Sequence, residues 1–307
     1  IIGLGNIGKR HVQAVLSKTA CAVYAYDMVE GKEQELKKFC AENQLDASKV
    51  SYINEPSKVY EAINSQSIVI VATTANDRAK LLHEIICAQP KAIVTEKPVC
   101  QDWQNYQKLK ELSQEYNVPV YVNFIRRYFP IYQEIRSKIA DSDIKNFVSY
   151  IGSGLGCVGI HVFDLALWLL DGKSYSLNFT AKKDLFETKR AGFLDFDGEI
   201  NFHVNEKDSC FVVANNASNV YSFEVSTEVE KFTVSETARQ CVYFKAPNTI
   251  EVSDIQYFNV SDITSIFVKQ IQEGDEVLLP DIHESALAHQ LLFEAMDECN
   301  VARINFT

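Results

Sequence analysis

The sequence predicts a two-part α/β protein: a doubly wound parallel sheet first, then an α+β half built on a mostly antiparallel sheet. Two observations carry this. In the first third of the chain, short apolar runs alternate with polar, helix-patterned segments, the pattern of parallel strands joined by helices. From residue 176 to 255 the chain turns to alternating, β-branched segments separated by turns, the pattern of antiparallel strands.

The elements follow in order. Residues 1–3 open on a strand, and 7–16 read as a helix with apolar residues at Ile7, Val12, Val15 and Leu16. A second strand covers 21–26 and ends at Asp27, and 30–43 are charged and helical. A strongly apolar strand at 67–72 precedes a helix at 75–88; a strand at 92–95, a helix at 102–116 and a strand at 118–124 complete the repeat. The style then changes. Gly152, Gly154, Gly156 and Gly159 lead into an apolar helix at 160–170. The segments EINFHV, SCFVVA, YSFEVS, KFTVS, CVYFKA and TIEVS supply the second sheet, and helices at 262–272 and 282–298 close the chain. A boundary near residue 120 gives domains 1–120 and 121–307, in keeping with a length of 307 residues.

Composition narrows the function classes. Apolar residues make up 47% and charged residues 23%, an ordinary globular profile. A net charge of −11 argues against a nucleic-acid partner, which calls for a basic face. No apolar run is long enough to cross a bilayer, so no membrane partner is expected. Ile1 stands inside a strand pattern, so a few leading residues are expected before it, and a signal segment stays open. The eight cysteines show no C-x-x-C spacing and read as reduced core thiols of a cytoplasmic protein. On that reading the Asn-x-Ser/Thr triplets at Asn178, Asn216, Asn259 and Asn305 carry no glycan. HESALAH has the wrong spacing for zinc, and no metal is expected.

Chemistry enters with IIGLGNIG. Gly3, Gly5 and Gly8 stand in G-x-G-x-x-G spacing between an apolar strand and a helix, the context that gives the pattern meaning. Gly3 suits a tight turn, Gly5 close approach of a pyrophosphate, and Gly8 close packing of helix on strand. The helix start offers N–H groups to an anion. Asp27, at the end of the second strand, suits adenosine ribose hydroxyls and repels a 2′-phosphate, which favours NAD over NADP. The plain alternative is a turn whose glycines serve packing alone.

Ligands in such sheets bind beyond the carboxyl ends of the strands. Glu96, Lys97 and Pro98 end one strand there. A lysine in that place can stabilise a developing alkoxide; the plain alternative is a surface ion pair. His161, at the start of an apolar helix, suits acid–base work or a satisfied buried position, and Asp164 is placed to cap or orient it. Asn123, Arg126 and Arg127 follow the last strand of the first domain. The arginines suit either a clamp on a substrate anion or an interdomain ion pair. His11 reads as packing.

The order GLGNIGKRH, VATT, TEKP and then a glycine-rich run ending GIHVFDLALWLL resembles the glucose-fructose oxidoreductase / inositol dehydrogenase / rhizopine catabolism (Gfo/Idh/MocA) family over nearly the whole chain. The resemblance implies an N-terminal Rossmann domain, a C-terminal domain with a large open sheet, and hydride transfer between a nicotinamide and a sugar-like carbon. It matches the family lysine to Lys97 and the family histidine to His161. Gly3, Gly5, Asn6, Ile7, Gly8, Asp27, Thr73 and Glu96 are the expected cofactor contacts; Asn123, Arg126, Arg127 and Cys157 are the expected substrate contacts. It also implies that Glu96 buttresses Lys97 and that the bond to Pro98, often cis in the family, aims the lysine. Two departures stand out. Cys157 replaces a frequent aspartate four residues before the histidine, and Ala72–Arg78 replaces Ala-Thr-Pro-Pro-x-x-His, with Arg78 at the histidine. GLGCVGIH is similar to the Gly-x-x-Cys-Asn-x-x-His of members in bacterial surface-sugar biosynthesis, with Val158 for the asparagine.

The sequence thus reads as an NAD-dependent oxidoreductase for a sugar, nucleotide sugar or polyol, with a role in surface-polysaccharide sugar metabolism. The rival reading, favoured by the missing aspartate, is a dinucleotide-binding sensor or scaffold of the same fold. A homodimer or homotetramer through the C-terminal sheet is expected, because helices cover one face and leave apolar residues on the other.

Overall fold

A computed structural model describes residues 1–189 and 192–301; the triplet at Asn305 lies outside the described residues. The elements, in chain order, are α1 (Asn6–Lys18), β1 (Val23–Ala25), α2 (Lys32–Glu42), β2 (Val50–Tyr52), α3 (Pro56–Glu61), β3 (Ile68–Val71), α4 (Arg78–Cys87), β4 (Ala92–Thr95), α5 (Trp103–Glu115), β5 (Val120–Val122), α6 (Pro130–Lys138), β6 (Asn146–Ile151), α7 (Ile160–Leu169), β7 (Tyr175–Glu187), β8 (Leu194–Val204), β9 (Asp208–Ala214), β10 (Tyr221–Ser226), β11 (Glu230–Ser235), β12 (Gln240–Lys245), β13 (Thr249–Asp254), α8 (Val260–Glu273) and α9 (Ala286–Glu298). They form two units: Ile1–Ile125 with Phe258–Glu284, and Arg126–Tyr257 with Ser285–Thr307. The chain therefore returns to the first unit after finishing the second sheet, which a single cut near residue 120 does not capture.

The first unit is a parallel, Rossmann-type sheet. β3, β4 and β5 pair in parallel, as do β1 and β2. All four residues of β4 are buried, as expected of a strand covered on both faces. Ile2 joins the two sets: it bridges Tyr26 on one side and Val71 on the other. The strand expected at residues 1–3 is thus a single bridging residue, held by Ile2 N–H to Ile70 O (2.8 Å) and Gly3 N–H to Tyr26 O (2.9 Å). A cavity of about 320 Å³ opens beside Ile1, lined in part by Val23, Tyr24, Ile68 and Val69, toward the amino ends of the strands. Its place at the amino ends makes it a poor ligand site for this sheet type. α8 carries a capping box of Asn259 and Asp262 and packs on α1.

The second unit is an eight-stranded sheet in the order β13-β12-β11-β10-β6-β9-β8-β7. Every pair is antiparallel except β6 with β9. One face buries Phe147, Phe196, Ile200, Phe202, Phe223 and Phe232. Phe163 of α7 meets Phe202 edge-on at 5.9 Å, and Tyr132 of α6 meets Phe223 at 5.8 Å. The opposite face leaves Tyr150, Phe179, Phe244, Ile250 and Val252 exposed. No helix among the described residues is long and apolar enough to cross a membrane.

Candidate functional site

The glycine loop closes on itself in the way its spacing requires. Gly3 has φ +92°, and a Cβ there would lie 2.7 Å from the Ala72 backbone. A Cβ on Gly8 would lie 1.8 Å from Gly3 O, so only glycine lets α1 start this close to the sheet. Gly5 is different: nothing stands within 4 Å of its missing side chain. Gly5, Asn6 and Ile7 are exposed. No side chain caps α1 and no acid lies in its first turn, so its leading N–H groups face outward without a competing carboxylate. Asp27 borders this surface. Its Oδ2 accepts Leu4 N–H at 2.6 Å and its Oδ1 accepts Val29 N–H at 2.9 Å, which fixes the carboxylate and leaves lone pairs for hydroxyl donors. An open backbone cradle, a bare helix start and an anchored acid fit a dinucleotide.

Thr73 and the Glu96–Pro98 turn follow β3 and β4 at the carboxyl end of the same sheet. The Lys97–Pro98 bond is cis. Arg78, buried at the start of α4, ties the two segments together. Its guanidinium donates to Glu96 O (2.6 Å), Pro98 O and Thr73 O. Carbonyl oxygens are the natural acceptors for a buried fork of donors. In the sequence Arg78 stands out only as a departure from the family pattern; an arginine opening a helix gives no signal of which loops it will join.

The Glu96 side chain reaches into the unit. Its Oε1 accepts Asn123 Nδ2 at 2.6 Å and lies 3.5 Å from His11 Nε2, long for a hydrogen bond but within ion-pair range. His11 is fully buried, and its Nδ1 lies 2.7 Å from Thr264 Oγ1 of α8. Burial pushes the Glu96 carboxyl up, but His11, Lys97 and Asn123 together hold it below the ordinary glutamate range. Asn123, expected at the substrate, thus has its amide on Glu96. His11, read as packing, faces the acid that precedes Lys97.

In the second unit the two arginines are engaged internally. Arg126 donates to both Glu236 oxygens at 2.8 Å, and Tyr132 Oη adds 2.8 Å to Oε1. Burial disfavours the Arg126 charge, but Glu236 outweighs it and raises the guanidinium. Arg127 donates to Asp164 at 2.7 and 3.2 Å. Asp164, expected to cap or orient His161, is thus the acceptor for Arg127. Both are ion pairs inside one unit. Cys157 lies in a wide helical turn, Leu155–Gly159, just before α7. Asp195 of β8 accepts Gly156 N–H at 2.8 Å and Cys157 N–H at 3.2 Å, anchoring the turn that leads to His161, the second residue of α7.

Residues 1–124 match the model of the Gfo/Idh/MocA family, described as an oxidoreductase family with an NAD-binding Rossmann fold. Among curated proteins, none matches the sequence significantly. Solved structures share the fold along the whole chain. An oxidoreductase from Agrobacterium radiobacter in complex with NAD+, L-tartaric acid and magnesium is 14% identical, with 98% of this chain and 96% of that one covered and a TM-score of 0.77. UDP-N-acetylglucosamine 3-dehydrogenase GnnA from Acidithiobacillus ferrooxidans is 12% identical, covering 96% and 94%, with a TM-score of 0.73. A protein proposed as a myo-inositol dehydrogenase from Sinorhizobium meliloti is 18% identical, covering 100% and 98%, with a TM-score of 0.69.

Proposed function

We propose that this chain, whose first 124 residues match an oxidoreductase family with an NAD-binding Rossmann fold, is an NAD-dependent dehydrogenase or reductase acting on a hydroxyl or carbonyl of a sugar, nucleotide sugar or polyol. The observation that carries the reading is the Glu96-Lys97-Pro98 turn, held by Arg78 at the same sheet end as the open glycine cradle. A nicotinamide, when bound, supplies the hydride acceptor or donor. Lys97 steadies the alkoxide of the reacting carbon with its ammonium charge. His161 is proposed as the group that takes or returns the hydroxyl proton, on its match to the family histidine. Cys157, a weak donor, stands where the family often has an aspartate, and its neighbourhood is our reason to favour a sugar of surface-polysaccharide metabolism. A reducing, cytoplasmic setting belongs to the same reading, suggested by the buried thiols Cys40, Cys100, Cys210, Cys241 and Cys299.

Screening sugars, nucleotide sugars and polyols with NAD or NADH, and following the absorbance of reduced nicotinamide, tests this directly. Turnover with one of them supports the dehydrogenase. Tight NAD binding with no turnover across the panel supports a sensor or scaffold, the reading that Cys157 favours. NAD is expected to bind more tightly than NADP, and Asp27→Asn is expected to narrow the gap. One like-charge contact near a surface is worth on the order of 1 kcal/mol or more.

A further inference from the structure

We propose that His11 is a positioning residue, whose Nε2–H faces Glu96 in an ion pair and through it holds the turn that presents Lys97. The inference rests on the reading of Lys97 given above, but its main evidence is independent of turnover. Hydrogen counting starts at Thr264. Its single hydroxyl hydrogen goes to Val260 O at 2.7 Å, one turn back along α8. The 2.7 Å contact between Thr264 Oγ1 and His11 Nδ1 then needs its hydrogen from the ring, so Nδ1 is the donor. That choice decides what Nε2 must be. In a neutral ring with Nδ1–H, Nε2 is a bare lone pair, and it faces Glu96 Oε1 at 3.5 Å. A lone pair against a carboxylate oxygen is repulsive where His11 is fully buried.

One proton removes the conflict, on either partner. Asn123 decides the side. Its amide donates to the same Oε1 at 2.6 Å, which favours a carboxylate there over a carboxylic acid. The pair is therefore an imidazolium and a carboxylate, neutral as a whole, with the Phe267 ring 6.4 Å from the imidazole. The consequence reaches Lys97. Glu96 is anchored from the side by His11 and Asn123, and its backbone carbonyl by Arg78. The residue after it has little freedom to wander. A long ammonium side chain gains from such anchoring, because ångström-scale misplacement of a reacting group is costly.

Ring 15N spectra of the full chain, labelled on histidine, test the proton on Nε2. At neutral pH both ring nitrogens of His11 are expected to carry hydrogen. In Glu96→Gln the Nε2 signal is expected to move to that of an unprotonated nitrogen. A wild-type ring with a bare Nε2, or a spectrum that Glu96→Gln leaves unchanged, overturns the proposal. His11→Gln, which can still donate to Glu96, is expected to keep more turnover than His11→Leu. The loss in His11→Leu should approach about 10²-fold, the cost of such misplacement. Equal losses in the two variants argue for packing alone and against the proposal. Should His11→Leu fail to fold, Thr264→Val takes its place, and an Nδ1 resonance unmoved by it counts against the donor assignment. Lys97→Ala separates the two readings: unchanged turnover sinks the role given to Lys97, while the ring spectrum still decides the proton on His11.

Discussion

Arg126 and Glu236 lie 110 residues apart in the chain and meet at 2.8 Å, with side chains 12% and 4% exposed. A buried pair of this kind gives modest net stability, yet removing one member leaves the other charge stranded. Arg126→Ala is therefore expected to cost about 3–5 kcal/mol of folding stability, measured by urea denaturation, and Glu236→Gln in the same chain should recover much of it. A substrate clamp predicts the opposite signature, a raised KM in a fully stable protein. RRY shows that two guanidinium groups must find acceptors; which acceptors depends on β11 and α7 arriving beside them, and no local pattern encodes that. Glu96 carries a second expectation. Its carboxyl is held below the ordinary glutamate value near 4.3, so its charged form stabilises the fold at neutral pH, and that contribution is lost as pH falls through the depressed value. The stability gap between wild type and Glu96→Gln should be widest near neutrality and close as the pH falls from the ordinary glutamate value through the depressed one. A gap that ignores pH would mean Glu96 is not held as a carboxylate.

Elements were legible where one short segment fixes its own period. β4 matches its apolar run residue for residue, because burial on both faces writes a continuous hydrophobic signal. β6 was missed: Asn146, Ser149 and Tyr150 interrupt the apolar pattern, and a strand inserted between β10 and β9 draws its partners from the far side of the sequence. The helix start of α1 allows a clean separation of folding from binding. Gly5 has φ −64° and open space around it, so Gly5→Ala is strain-free and its stability should stay within about 0.5 kcal/mol of wild type, as at an ordinary surface site. Its methyl group nevertheless fills the cradle that a pyrophosphate needs, so NAD affinity should fall sharply in a calorimetric titration. Gly8→Ala drives a methyl into Gly3 O, and both stability and NAD affinity should fall, the former by roughly 1–3 kcal/mol or more. Equal behaviour of the two variants would mean that the cradle is not where the cofactor binds.

At the scale of the whole molecule, the fold class was readable from the change of period along the chain, while the return of Phe258–Glu284 to the first unit was not. Its helix, α8, has the same amphipathic pattern whichever unit it covers; the choice is made by contacts such as His11 with Thr264, which join residues 253 positions apart. The second sheet raises the remaining question. Along β6, β12 and β13 the residues that alternate away from the helices include Tyr150, Phe244, Ile250 and Val252, all exposed, and Phe179 of β7 lies on the same face. An apolar face of this extent on a sheet usually marks an association surface, and β13 is an exposed strand at the sheet's edge. We therefore expect a homodimer or homotetramer built on this face, seen as a concentration-independent mass above the monomer in sedimentation at micromolar protein. Phe244→Glu with Ile250→Glu places like charges on neighbouring strands, at paired positions of β12 and β13. That pair of changes should lower the mass to the monomer while circular dichroism keeps its wild-type shape, since neither side chain is part of the buried core. A wild-type monomer at micromolar concentration, or an assembly that survives the double charge, would place the interface elsewhere.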